Sequence, residues 1–189
     1  MIVQDPYATG VLQKEHHDRL VADLENFARD AGIRPQWVWT ALPDDVQPAE
    51  KAYLVKFRHH LASSTVSGLC YSGDVEGVAM EHRLSALAGF LVRNFVRARV
   101  MTLGTVIEAL AQNSLPELTA ILIPNFFLPK AQGGHLATWQ VQNLFDFLSD
   151  RFTQGLQTIV YVSDMDKMGH EYGLAISRLI KTRYVHVTL

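Results

Sequence analysis

The sequence has little that would place the protein outside a reducing compartment or inside a membrane. It has one cysteine, Cys70, so no internal disulfide can form, which is typical of a cytosolic protein. Its apolar runs, residues 121–128 and 159–162, are far too short to cross a bilayer. The first residues lack the basic start and long apolar run of a signal peptide. We therefore expect a soluble, cytoplasmic protein with no membrane span.

Excess charge of one sign is also missing from the chain as a whole. The net charge of -2 gives no general attraction to nucleic acid. The charge is nevertheless uneven, because residues 1–50 hold nine acidic and four basic residues, while residues 51–189 hold ten acidic and thirteen basic. Hydrophobic content of 48% and charged content of 19% are ordinary for a globular chain. We predict an acidic helical arm and linker over residues 1–47 and one α/β domain over residues 48–189.

Apolar patterning predicts strands that alternate with helices from residue 67 onward. The apolar runs around residues 118–123 and 158–163 are typical of strands buried on both faces of a parallel sheet. The predicted strands are 67–71, 99–102, 118–123, 158–163 and 184–189. The predicted helices are 13–31, 48–63, 80–97, 103–113, 138–153 and 172–181. The segment from residue 124 to residue 135, with two prolines and two glycines, is predicted to be a loop.

The turn after the first predicted strand has nearly the spacing of a phosphate-binding loop, G-x-x-x-x-G-K-[ST]. The eight positions read SGDVEGVA, from Ser72 and Gly73 to Gly77, Val78 and Ala79. Val78 stands where the lysine would neutralise phosphate, and Ala79 where a hydroxyl would hold magnesium. Asp74 and Glu76 add negative charge at the same place. Alone, this segment is an ordinary strand–turn–helix.

The order of motifs from about residue 48 to the end resembles the AAA+ fold of bacterial replicative helicase loaders. The helper ATPases of insertion-sequence transposases are similar. The resemblance is carried by SGLCYSGDVEGVAMEHRLSALAGFLV, ARVMTLGTVIEAL, LTAILIPNFF, LFDFLSDRFTQGLQTIVYVSDM and EYGLAISRLIKTRYVHVTL. It implies a parallel sheet sandwiched by helices, of the P-loop NTPase type. It implies no C-terminal lid, since the family members most like this chain lack or shorten that element.

Compared position by position with this family, the chain departs at each nucleotide motif. Val78 and Ala79 occupy the Walker A lysine and hydroxyl positions, and Pro124 and Asn125 occupy the Walker B carboxylate positions. Asp164 follows Ser163 where the family has asparagine. In this family the arginine of the SRL helix reaches the nucleotide of a neighbouring subunit. Arg178 keeps that position, and its alternative role is structural, paired with Glu171 or Asp164.

Other candidate residues give weaker signals. Cys70 lies in an apolar strand, which favours a buried, inert thiol. Adjacent histidines on a helix point about 100° apart and cannot share one metal ion, so we expect no metal site. Arg93 and Arg97 are four residues apart, which predicts a shared basic helix face with Arg99 nearby. This face is interpreted as a protein contact or solvated surface, with a nucleic-acid contact as the alternative. Trp37 and Trp39 are expected to anchor the linker on the main body or to contact a partner.

The sequence thus predicts a catalytically inactive AAA+-like protein, a pseudo-ATPase that serves as an interaction or scaffold protein. We expect no catalytic residue, metal or cofactor. The expected partner is a protein of a larger assembly, such as an active ATPase or helicase of replication or transposition. The alternative is a divergent loader-type ATPase that binds nucleotide and single-stranded DNA.

Overall fold

A computed structural model describes residues 5–128 and 136–189 of the chain. Within these residues the strands are β1 (Gly68–Ser72), β2 (Ala98–Val100), β3 (Ala120–Phe127), β4 (Gln157–Val162) and β5 (Tyr184–Thr188). The helices are α1 (Lys14–Ala22), α2 (Leu24–Asp30), α3 (Gln36–Trp39), α4 (Pro48–Val55), α5 (Phe57–Ser63), α6 (Gly77–Arg93), α7 (Leu103–Ala111), α8 (Thr138–Thr153), α9 (Met165–Glu171) and α10 (Gly173–Arg183).

The five strands of the described residues form one parallel sheet in the order β2-β3-β4-β1-β5. Parallel neighbours need crossover connections, and helices between the strands supply them. Alternate residues of a strand point to opposite faces, so Leu69 and Tyr71 join one core while Cys70 joins the other. Helices α4, α5 and α6 cover the first face, and α7 to α10 cover the second. The predicted sandwich of helices around a parallel sheet is confirmed.

Burial leaves Cys70 without reactivity. Its side chain is fully buried and free of any disulfide, and burial raises the pKa of the thiol to about 12. A thiol with such a pKa carries almost no thiolate at neutral pH, and thiolate is the nucleophilic form. This agrees with the prediction of an inert cysteine.

Several predicted element boundaries are wrong. The predicted helix over residues 13–31 is two helices, because Asp23 leaves the helical region with φ -125° and ψ 32°. The predicted helix over residues 48–63 breaks likewise at Lys56, with φ -92° and ψ 8°. Helix α9 was not predicted at all. Asp164 caps it by accepting hydrogen bonds from the backbone N–H groups of Asp166 and Lys167.

The arm packs on the edge of the sheet at β2. Leu20 and Ala28 of the arm form a third apolar cluster with Val92 of α6. The Val100 N–H donates to the Ala31 carbonyl at 2.9 Å, which satisfies part of the exposed edge of β2. Gly32 has φ +66°, and a Cβ there would lie 2.6 Å from the Val100 carbonyl oxygen. The arm is therefore held by backbone as well as apolar contacts, while its division from the domain at residue 47 stays a prediction.

His60 of α5 makes stability depend on pH. Its ring is 8% exposed and stacks on Tyr53 at 5.2 Å, and neither ring nitrogen has a hydrogen-bond partner. Burial, and then the charges of His59 and Lys56, lower its pKa from the ordinary 6.5. The unfolded chain therefore binds this proton more readily than the folded chain. The contribution of the neutral His60 ring to stability is complete above about pH 6.5. It is lost as the pH falls through the lowered pKa of the folded chain.

We expect the free energy of unfolding to fall between pH 7.5 and pH 5.5, and His60→Phe to flatten part of that slope. Urea denaturation of both chains at several pH values measures the difference. His16→Phe, on an exposed part of α1, is the control and should keep the slope of the unmodified chain. Equal slopes for His60→Phe and the unmodified chain would contradict the assignment.

Candidate functional site

The loop between β1 and α6 is the position of the predicted phosphate-binding loop. It begins at Gly73, whose φ is +137° and where a Cβ would lie 2.5 Å from the Leu189 carbonyl oxygen. The Leu189 N–H donates to the Ser72 carbonyl at 2.8 Å, so Leu189 fixes the start of the loop. Glycine is required at Gly73 by this close approach. At Gly77 a Cβ would meet nothing within 4 Å, so local packing does not require the second glycine.

A buried tyrosine supports the loop from the sheet side. The Tyr161 hydroxyl, on β4, accepts a hydrogen bond from the Val75 N–H at 3.1 Å. The same hydroxyl lies 2.8 Å from the Gly73 carbonyl oxygen and 3.1 Å from the Val75 carbonyl oxygen, and its single proton lies between these two acceptors. In a phosphate-binding loop the backbone N–H groups are the ligands of phosphate. One of those N–H groups is here satisfied by the protein's own side chain.

The outer surface of the loop is apolar and acidic. Asp74 and Glu76 are exposed, Val78 is 62% exposed, and Ala79 is exposed beside it. A phosphate placed here would meet two carboxylates and no cation from the lysine position. A missing charge-assisted hydrogen bond alone costs about 1.5–3 kcal/mol.

The Walker B positions lie within β3 rather than in a loop. The predicted loop from residue 124 is wrong over its first part, because β3 continues to Phe127. The pairing with β4 shifts register between Ile123 and Phe127, and Pro124 is buried at that irregularity. A proline is tolerated inside a sheet at such a bulge, since no ladder N–H is needed there. The Asn125 side-chain oxygen accepts from the Leu103 N–H at 2.8 Å, so it serves the start of α7. The rest of the predicted loop, from residue 129 to residue 135, lies outside the described residues.

The side chains just after β4 also form hydrogen bonds and an ion pair with neighbouring parts of the fold. The Ser163 hydroxyl donates to the Phe127 carbonyl at 3.1 Å. The Lys167 N–H, first among several donors, lowers the pKa of the Asp164 carboxyl. The Lys167 ammonium lies 3.3 Å from the same carboxylate. These contacts connect β4 to β3 and fix the start of α9.

Arg178 is exposed on α10, and Leu174 one turn before it is 77% exposed. Residues four apart share a helix face, so an apolar and a cationic side chain lie together on this surface. Asp164, one of the two carboxylates predicted as an alternative partner of Arg178, forms an ion pair with Lys167 instead. Within residues 5–128 and 136–189, no ion pair to the Arg178 guanidinium is found.

The prediction of a shared basic face on α6 is wrong. The helix ends at Arg93, and Phe95 adopts φ +59°, so Arg97 does not continue the same helix face. Arg93 is 8% exposed and donates to the carbonyls of Val38 at 3.2 Å and Thr40 at 2.8 Å. Burial lowers its pKa to about 10. Arg93 thus fastens the linker to α6, while Arg97 is exposed.

The two predicted tryptophan anchors are half-buried on the main body. The Trp37 ring lies 5.4 Å from the His82 ring of α6. Trp39 packs against the apolar cluster that joins the arm to α6. This agrees with the interpretation that both rings anchor the linker.

A buried ionic network near the loop was not predicted from the sequence. The Arg83 guanidinium on α6 lies 2.7 Å from the Glu50 carboxylate and 3.0 Å from the Asp45 carboxylate. The Tyr71 hydroxyl donates to Glu50 at 2.5 Å. Burial works to lower the pKa of Arg83, but the hydrogen bond and charge of Glu50 outweigh it and raise that pKa. Burial and the Glu50 charge raise the pKa of Tyr71 well above its ordinary value.

A cavity of about 640 Å³ lies beside this network and the loop. Trp37, Met80 and Leu189 contribute apolar lining, and Arg83 is its buried cation. The charge of Arg83 is already neutralised by Glu50 and Asp45, so it is not available to phosphate. No group of three or more metal-ligating side chains occurs within the described residues. In the same part of the chain, none of the helices is both long and apolar enough to cross a bilayer.

Comparisons with known proteins support the fold. Neither a family model nor a curated protein sequence matches the chain. Among solved structures, it matches a DNA replication initiation factor with TM-score 0.56 and 11% identity, over 82% of this chain and 50% of that chain. It matches AMPPCP-bound DnaA from Aquifex aeolicus with TM-score 0.53 and 13% identity, over 77% and 51%. It matches domain III of the replication initiation protein DnaA from Thermotoga maritima with TM-score 0.52 and 17% identity, over 79% and 69%.

The chain spans about half the length of the first two of these proteins. Identities this low show a shared fold and nothing finer. The predicted α/β fold with a parallel sheet is thereby confirmed, and these replication initiation proteins share it.

Proposed function

We propose that this protein is an AAA+-like interaction protein without ATPase activity. The observation that carries the proposal is the loop after β1. Its Val75 N–H is bonded to Tyr161, its lysine position is Val78, and its exposed charges are Asp74 and Glu76. At the second motif, Asn125 bonds α7 in place of a catalytic carboxylate. The chain thus lacks the groups that bind phosphate, hold magnesium and activate water in a nucleotide site of this type.

Isothermal calorimetry with ATP and magnesium tests this proposal. We expect no binding tighter than about 1 mM for the unmodified chain, because the carboxylates repel phosphate and no cation offsets them. Tyr161→Phe, which frees the Val75 N–H but adds no cation, should not bind either. Magnesium-dependent binding by the unmodified chain tighter than about 100 μM would contradict the proposal and favour the divergent ATPase.

We further infer that the partner is a protein of a larger assembly, and that an active replication ATPase is the best candidate. Support comes from the fold shared with replication initiators and from the exposed α10 surface with Leu174 and Arg178. One AMPPCP-bound DnaA among the neighbours is described with single-stranded DNA, at TM-score 0.50 and 12% identity. A DNA contact for this chain is the weaker candidate, because Arg93 is not available to it.

Capture from a lysate of the native host tests the partner. The unmodified chain and Arg178→Glu serve as baits, and mass spectrometry identifies the bound proteins. Arg19→Glu, on the exposed surface of α1, is a matched charge reversal away from α10. We expect an ATPase of the replication machinery to bind the unmodified chain and Arg19→Glu but not Arg178→Glu. Equal recovery with all three baits would exclude Arg178 from the contact.

A further inference from the structure

A continuous groove runs along the edge of the sheet at β2 and continues between the segment that precedes β3 and helix α8. Its first half is a cavity of about 540 Å³ between α2 and β2, and its second half is a cavity of about 670 Å³ beside α8. Arg97, Pro116 and Leu118 line both halves, so the two cavities adjoin. Neither half contains any residue of the loop after β1. The groove is therefore separate from the nucleotide-type site.

The floor of the first half carries backbone groups without partners. The Ala120 N–H donates to the Arg97 carbonyl and the Met101 N–H to the Leu122 carbonyl, so odd-numbered residues of this segment face β3. Ala98 and Val100 therefore point their backbone groups away from β3. Val100 donates to Ala31, but no hydrogen bond to Ala98 on that side is found within the described residues. Ala98 is 4% exposed and lines the cavity, so its outward N–H and carbonyl can be reached only from within the groove. An edge strand with such groups can take up an added strand.

Two phenylalanines flank the same floor. Phe27 of α2 is 43% exposed and Phe95 is 65% exposed, and both line the first half. Phe95 is held at φ +59°, which is unfavourable for a bulky residue and directs the backbone out of α6. Exposed aromatic side chains beside unpaired backbone groups are typical of a surface that is covered in a complex.

The second half is acidic at its rim. Glu117, Asp146 and Asp150 are exposed there, and Asp146 accepts a hydrogen bond from Gln142. No ion pair to Glu117 or Asp150 occurs within residues 5–128 and 136–189. Arg151 is the buried cation of this half, but it donates to the Leu118, Thr119 and Gln157 carbonyls and does not neutralise the rim. Arg97 is an exposed cation where the two halves meet, and Arg99 lines the apolar half.

We propose that this groove binds an extended segment of a partner protein. The segment adds beside β2 through Ala98, places an apolar side chain between Phe27 and Phe95, and places a basic side chain a few residues away beside Glu117 and Asp150. In the bound segment the basic residue is not next to the apolar residue. Arg97 and Arg99 flank the place of the apolar residue and would repel a positive charge there. Nucleic acid is disfavoured because its phosphates would meet the carboxylates of the second half. The inference does not depend on the absence of ATPase activity.

A random-peptide display library selected on the full chain tests the proposal, and fluorescence anisotropy measures the affinity of selected peptides. We expect selected sequences to share an apolar residue followed or preceded, a few positions away, by lysine or arginine. Phe95→Asn relieves the positive φ and removes one apolar wall. Ala98→Pro removes the outward N–H without removing a ladder bond to β3. Each should weaken binding at least about tenfold, and Glu117→Lys should weaken binding of the basic peptides.

Val55→Ser is the matched control, since Val55 is 79% exposed on α4 and does not line the groove. It should leave the affinity unchanged. The proposal is overturned if selection returns no binding sequence, if acidic sequences are enriched, or if Phe95→Asn and Ala98→Pro bind as the unmodified chain does. Tighter binding of a twenty-nucleotide single strand of thymidylates than of any selected peptide would also overturn it.

Discussion

Arg83→Met is expected to lower the free energy of unfolding by about 3–5 kcal/mol, because it leaves the buried Glu50 carboxylate without its cation. Glu50 is 1% exposed, so water cannot replace the guanidinium. The Tyr71 hydroxyl would remain the only side-chain hydrogen-bond donor to that carboxylate among the contacts of the described residues. Urea denaturation at pH 7 measures the loss as a lower midpoint. A loss of this size is a large part of the 5–15 kcal/mol by which domains are usually stable.

Two further variants test whether the loss of stability comes from the unpaired buried charge of Glu50. Asp45→Asn removes the partner whose side chain is 73% exposed, so it should cost no more than about 1 kcal/mol. Glu50→Met combined with Arg83→Met and Tyr71→Phe replaces the whole network by apolar groups and should recover much of the loss. If Arg83→Met has the same midpoint as Asp45→Asn, the network does not hold α6 to α4 and β1 as described.

Gly89→Ala is expected to displace the linker helix α3 and to lower the free energy of unfolding by about 1–3 kcal/mol. A Cβ at residue 89 would lie 2.0 Å from the Trp37 carbonyl oxygen and 2.6 Å from its carbonyl carbon. Both are backbone atoms, so no side-chain rotation can relieve the clash. Moving α3 would expose the half-buried Trp37 ring, and tryptophan emission should shift to longer wavelength.

Gly104→Ala is the matched control for the same substitution in another helix. Its nearest neighbour would be the Thr102 hydroxyl oxygen at 3.9 Å, an ordinary contact. Alanine is the better helix former, so the stability should be unchanged or rise by up to about 1 kcal/mol. Gly89→Ala with unchanged stability and unchanged emission would show that α3 is not packed against α6 in solution.

The proposed absence of nucleotide chemistry is supported by more than missing side chains. Val78 and Ala79 remove a cation and a metal ligand, but Tyr161 also takes a backbone N–H and Leu189 closes on Gly73. Restoring lysine and threonine would therefore leave a loop whose backbone is bonded to its own protein. We therefore interpret the segment as a structural turn.

The sequence predicted the fold better than the boundaries of its elements. Apolar runs and their spacing gave five strands and their parallel arrangement, because burial on both faces selects such residues. They failed at β3, where a proline inside the strand was interpreted as its end. They also failed at α9, whose seven residues have too few apolar positions for a visible helical pattern. The helix breaks at Asp23 and Lys56 have no signal in the apolar pattern of their segments.

The sequence by itself determined which chemical groups are missing, because a lysine, a hydroxyl or a carboxylate at a given position is a matter of residue identity. Only the tertiary structure decided what the remaining groups do. Arg93 was predicted at a surface and lies buried as a donor to the linker, while Arg83 and Tyr161 carried no sequence signal. Their roles depend on atoms from segments far apart in the chain, and the fold alone brings those atoms within hydrogen-bond distance.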